Sequence, residues 1–179
     1  MLTFTLGGSM HALEVAITPE MLVRAAKKAE DLGVIKNSIL KGKGALAGFL
    51  GEEMFLEAFP QAVSSNTFDH DIICDGYRVE VKSVQTTVVP KPYFHCHVAA
   101  YNNNQDADIY VFTRIHTDFD RGWLMGWINC ADWKSLARFA AKGERDGPWA
   151  YPCDCYNLRY SELEPFTKNP DRAKRVLLK

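Results

Sequence analysis

"FDHDIICDGYRVEVKS", residues 68–83, has the alternation of two short strands around a tight turn. A two-residue Asp75-Gly76 loop is the strongest short-range hairpin signal, because glycine accepts positive φ without a steric penalty. Placing that dipeptide at the tip sets the register. Cys74 pairs with Tyr77, Ile73 with Arg78, Ile72 with Val79 and Asp71 with Glu80; one step further, Asp69 lies opposite Lys82. Side chains then sort with a period of two. His70, Ile72, Cys74, Tyr77, Val79 and Val81 share a largely apolar face. Asp69, Asp71, Ile73, Arg78, Glu80 and Lys82 share the other.

Directly opposed residues have Cβ atoms about 4.5–5.5 Å apart, and like charges at that distance destabilise a sheet. Asp71 opposite Glu80 therefore calls for compensation, and a divalent cation supplies it. Mg²⁺ takes hard oxygen ligands, commonly one or two carboxylates completed by waters and substrate phosphate oxygens. Lys82, two residues past Glu80 on the same face, stands beside that cation. Such a set suits phosphodiester hydrolysis, with the metal activating water and the lysine orienting it or stabilising developing negative charge. The plainer reading is a solvated ribbon face on which Lys82 offsets Asp69 and Glu80.

Upstream, "GALAGFLGEEMFLEAF" (44–59) reads as a helix ending near Pro60. Gly44, Gly48, Gly51, Glu52 and Phe55 fall on one side of it. Glycine inside a helix costs about 1 kcal/mol relative to alanine, so a glycine stripe implies close approach to another surface. Glu52 faces that surface, whereas Glu53 and Glu57, at i and i+4, read as a solvated edge.

Taken together, "GFLGEEMF", "FDHDIICDG" and "YRVEVKS" resemble the PD-(D/E)XK nuclease superfamily, over roughly residues 40–130. The resemblance implies a restriction-endonuclease-like α/β fold, a mixed β-sheet flanked by helices in the order αβββαβ. It implies a Mg²⁺-dependent deoxyribonuclease, with Mn²⁺ able to substitute. It assigns Asp71 and Glu80 to the metal together with the backbone carbonyl of Val81, Lys82 to the attacking water, and Glu52 to support of the site or a second metal. Gln85 stands where some members carry a further polar residue, and Asp69 is a rival for the aspartate role. His70 precedes Asp71 in place of the family pattern's proline, which many relatives also lack. By analogy, size and single-domain layout resemble those of phage or restriction-type nucleases.

The remaining chain reads as one mixed α/β domain around one sheet. At 179 residues it is long enough for a proper core. Thr18 and Pro19 cap and start a helix that runs to Gly33. Strands are expected at 93–101, 108–116 and 122–130, a helix from near Asp132 to Gly143, and a short strand near 156–163. Formal net charge is −1, so DNA must be met by a local patch rather than a global field. Lys36, Lys41 and Lys43 form an acid-free stretch before the Glu52 helix and are the candidate DNA contacts; the basic tail from Lys168 onward reads as a frayed terminus.

No run reaches the roughly 20 apolar residues of a membrane span, and five scattered cysteines suit a reducing compartment. A cytoplasmic protein is expected, with a homodimer required if both strands are cut together. Two other classes compete: a nuclease-fold DNA-binding or assembly module without catalysis, and a zinc-stabilised interaction protein using "HCH" (95–97) and "CDC" (153–155). Neither cysteine fragment has the usual zinc-ligand spacing. The four tryptophans read as core.

Overall fold

Asp75 and Gly76 both adopt positive φ, +51° and +85°, as a type I′ hairpin turn demands. The computed structural model describes residues 12–32, 45–65, 67–102, 104–147 and 149–166. In chain order these form β1 (Leu13–Ala16), α1 (Pro19–Leu32), α2 (Ala45–Ala58), β2 (Val63–Ser64), β3 (Ile72–Cys74), β4 (Tyr77–Thr86) and β5 (His95–Ala99). Then follow β6 (Ile109–His116), β7 (Arg121–Asn129), α3 (Cys130–Leu136), β8 (Arg138–Ala140), β9 (Arg145–Asp146), β10 (Trp149–Ala150) and β11 (Cys155–Arg159).

The hairpin register is the expected one for Cys74–Tyr77, Ile73–Arg78 and Ile72–Val79. Six strands make a mixed sheet in the order β1-β7-β6-β4-β3-β2, with β4 and β6 parallel and the other neighbours antiparallel. The class is thus mixed α/β, but not around one sheet alone. A three-stranded sheet β5-β11-β8 and a two-stranded ribbon β9-β10 accompany it. Where the αβββαβ order places a helix between the parallel strands, the described residues of the crossover hold β5 and a short 3-10 turn at Ala100–Asn102.

Alternation along the central strands builds two cores. Val79 and Val81 of β4, with Ile109, Val111 and Ile115 of β6, pack against α1 and α2 through Met21, Leu50, Met54 and Phe55. The opposite face carries Tyr110, Phe112, Trp123 and Met125, covered by Cys96 and Val98 of β5, Trp133 of α3 and Leu158 of β11. Helix α1 starts as its sequence implies, with the Met21 N–H donating to Thr18 Oγ1 at 3.3 Å. Helix α2 comes close to β4 and β6 at Gly51. A Cβ there would overlap Ser83 Oγ and lie 2.7 Å from Thr113 Oγ1.

Three expectations are corrected. The helix beginning near Asp132 ends at Leu136, not Gly143, because Arg138–Ala140 turns extended and pairs with β11, burying Ala140 beside Tyr151 and Cys155. Glu53 is no solvated edge: α1 lies over it, and it is buried against Arg24 and Lys28. One tryptophan, Trp149, stands 43% exposed while the other three are buried. No helix among the described residues is long and apolar enough to cross a membrane.

Candidate active site

Beyond Ile72 the β3–β4 pairing gives way to a side-chain bond. The Asp71 N–H still donates to the Val79 carbonyl at 3.0 Å, but the Val81 N–H donates to the Asp71 carboxylate, to Oδ2 at 2.8 Å. Backbone groups of one strand residue point to the same side, so the Val81 carbonyl also faces this edge, past the last paired residue of β3. Asp71, Glu80 and Val81 are thereby gathered at the point where the two strands part.

Glu80 is 6% exposed. Its Oε1 accepts from Lys82 Nζ at 2.6 Å and from Gln105 Nε2 at 3.1 Å, while Oε2 is buried without a hydrogen-bond partner. Lys82 Nζ donates in addition to Gln105 Oε1 at 2.8 Å, and Gln105 Nε2 to the Phe68 carbonyl at 2.9 Å. Gln105 thus bridges both residues and the loop before β3. It is itself held by the loop that carries it, since Arg78 Nη2 pairs with Asp108 at 2.8 Å and Arg78 Nη1 with Asp106. Arg78, Glu80 and Lys82 lie on the same face of β4 by alternation, so one strand face carries both the site and the clamp for its bridging residue.

Glu52 arrives from α2. It is buried, and Lys28 Nζ lies 3.4 Å from its Oε2 and 3.0 Å from Glu53 Oε1. Arg24 Nε closes on Glu53 Oε2 at 2.6 Å. Burial pushes the Glu52 carboxyl up to about 7, with Lys28 opposing and the charges of Glu53 and Glu80 adding. Asp71 is raised further, first by burial and then by Glu80 and Glu52, against the Val81 N–H and Lys82. The three carboxyls therefore sense one another, as like charges confined in a low-dielectric site must.

Of the residues singled out in the sequence, Glu52, Asp71, Glu80, Val81 and Lys82 come together. Asp69 does not lie opposite Lys82. Thr67 Oγ1 accepts from the Asp69 and His70 N–H groups and folds residues 67–70 into a turn, and Asp69 Oδ1 instead faces the Asp106 N–H at 3.4 Å. Gln85 is exposed three residues beyond Lys82, on the other face of β4 by alternation, and the glutamine in contact with Glu80 and Lys82 is Gln105. Its signal in the sequence was the pair of acids that follow it, Asp106 and Asp108, matched to Arg78 on the face of β4 that carries Glu80 and Lys82. Lys36, Lys41, Lys43 and the basic tail lie outside the described residues.

Among the described residues no three His, Cys, Asp or Glu side chains form a group set to hold a metal ion as they stand; Lys82 and Gln105 both engage Glu80 Oε1. In the histidine and cysteine fragments, Cys96 Sγ donates to the Leu158 carbonyl and His95 Nδ1 pairs with Asp146 at 2.7 Å. Compared with known proteins, the sequence matches no family model, and no curated protein matches it.

Proposed function

We propose that this chain is a divalent-metal-dependent nuclease that hydrolyses DNA phosphodiester bonds. The observation that carries the reading is the Asp71–Val81–Glu80–Lys82 cluster at the parting of β3 and β4, with Glu52 brought to it from α2. Asp71 and Glu80, with the Val81 carbonyl, are the hard oxygen donors that Mg²⁺ or Mn²⁺ takes. Two features fit a cation: carboxyls raised by burial and mutual repulsion, and the buried Glu80 Oε2 with no partner. When bound, the metal lowers the pKa of a water and polarises the phosphoryl oxygens.

The remaining roles belong to the chain. The Val81 N–H fixes the Asp71 carboxylate in orientation. Lys82, held by Gln105 as well as Glu80, presents its ammonium to the attacking water or to the charge that develops on the phosphate. Gln105 limits the freedom of that ammonium, which preorganises it. Lys28 balances Glu52 and Glu53, so that Glu52 can ionise beside two other carboxylates.

Incubation of the protein with single-stranded, duplex and branched labelled DNAs, each with Mg²⁺, Mn²⁺ or EDTA, tests the reading. Cleavage in the first two conditions and none in EDTA supports it. Metal-independent DNA binding without cleavage supports instead a binding or assembly module, the reading favoured by the close Lys82–Glu80 ion pair as a purely structural contact.

A further inference from the structure

Beside Lys82 opens a cleft of about 490 Å³, a size within the range of ligand pockets. Lys82 belongs both to this cleft and to the cluster with Glu80. The walls carry five aromatic rings, of which Phe112 and Tyr160 are buried in the core while His97, Tyr101 and Trp149 are more open, and two amides, Gln85 and Asn102. No described residue of the lining is a carboxylate. The contrast is with a second cavity, of about 420 Å³, which Asp132, Glu162 and Glu164 line and which would repel a polyanion.

The more open rings are arranged as a platform rather than as core. Trp149 and His97 have centroids 5.8 Å apart with planes tilted by 34°. Trp149 meets the buried Tyr151 edge-on at 4.6 Å, which holds the indole in place. Tyr101 is 59% exposed. Burial, Arg114 and His95 hold His97 well below its ordinary value, at about 4, so its ring is neutral at working pH.

We propose that this cleft receives an unstacked nucleobase next to the phosphate held at Lys82, and hence that the substrate is single-stranded DNA; this rests on the nuclease reading above. Every base has a π-face, so aromatic walls bind bases with little regard to sequence. The amides of Gln85 and Asn102 can satisfy the exposed base edges. A base within a duplex is already stacked and paired and must first be extruded, which selects for the single strand.

The test uses octathymidylate and a blunt duplex of equal length in EDTA at fixed salt, followed by intrinsic fluorescence. Trp149 is the one exposed tryptophan, so quenching reports on this cleft. Octathymidylate is expected to quench the wild type and to bind it at least tenfold more tightly than the duplex. Trp149→Ala is expected to weaken binding about tenfold or more, measured by anisotropy of labelled oligonucleotide, while Trp149→Phe restores it. Tyr101→Ala provides a second variant from the other wall, and thermal melts check that both are folded. Equal binding of single strand and duplex, or unchanged affinity in both alanine variants, overturns the inference. Cleavage in Mg²⁺ separates the two readings. DNA cutting that ignores Trp149 removes the cleft alone, whereas Trp149-dependent binding without any cutting keeps the base site and removes the nuclease.

Discussion

The Val81 N–H donates to Asp71 Oδ2 at 2.8 Å, so a backbone group of one hairpin strand orients the carboxylate of the other. A ladder bond is replaced here by a side-chain bond, and the replacement leaves a carboxylate and a carbonyl on the same edge as Glu80. Asparagine can accept the same hydrogen bond but brings no charge. Asp71→Asn is therefore expected to reduce cleavage by at least about 10³-fold while melting no lower than the wild type in metal-free buffer, because one of three repelling carboxyls is gone. Cleavage rates on labelled single-stranded DNA and thermal melts check both halves. A variant that cuts normally removes Asp71 from the site.

Glu52 and Asp71 titrate upward in the folded chain. Between about pH 6.5 and 8 the unfolded carboxyls are ionised, while in the folded chain Glu52 gives up its proton around 7 and Asp71 only around 8. The folded state binds more protons, so stability falls as pH rises through this window. The fall is expected to be on the order of 1–2 kcal/mol, or a few degrees of Tm. His97, displaced in the opposite direction, is neutral in both states across most of this range and so adds little. Mg²⁺ should flatten the slope by favouring the ionised forms, and Glu52→Gln should reduce it without metal. Melts at several pH values with and without Mg²⁺ decide; a Tm rising with pH in EDTA contradicts the electrostatic account.

Gln105 and Gln85 offer a direct comparison. Gln105 contacts Glu80, Lys82 and the Phe68 carbonyl, whereas Gln85 is exposed beyond them. Gln105→Ala is expected to lower kcat about 10- to 100-fold with the fold intact, the usual scale for loss of an orienting partner. Gln85→Ala should leave kcat near wild type and raise KM only, through the lost contact to the base edge. Steady-state kinetics of both variants measure this, and the reverse ranking would return the accessory role to Gln85.

At Gly51 two effects oppose each other. Alanine would gain about 1 kcal/mol of helix propensity, but its Cβ would overlap Ser83 Oγ and crowd Thr113 Oγ1. Overpacking of this kind costs typically about 1–3 kcal/mol, so the clash should win. Gly51→Ala is expected to destabilise the protein and displace Glu52, with Ser83→Ala in the same chain recovering part of the loss. Denaturant titrations of the single and double variants measure the coupling.

Much of this was legible because it is local. The Asp75-Gly76 turn dictated register, the register dictated faces, and of the glycine stripe Gly51 marks a close approach whereas a Cβ at Gly48 would meet open space. The failures are tertiary. Asp69 was extrapolated along a strand that Thr67 interrupts with its own hydrogen bonds. Glu53 looked solvated because nothing in its own helix says that Arg24 and Lys28 of α1 lie over it. Arg138–Ala140 continued a helical pattern until pairing with β11 overrode local preference. Gln105 sat in a segment that reads as a turn, and its contact with Lys82 spans 23 residues.

The central claim is that Lys82 acts beside metal-binding Asp71 and Glu80 in phosphodiester hydrolysis. Its most direct test is the cleavage of end-labelled single-stranded DNA by the wild type and by Lys82→Ala, with Mg²⁺ or EDTA, both proteins first shown to be folded by circular dichroism. The account predicts cutting by the wild type in Mg²⁺ alone, and a rate at least about 10²–10³-fold lower for the variant. Equal cutting by the folded variant, or cutting that survives EDTA, would contradict it.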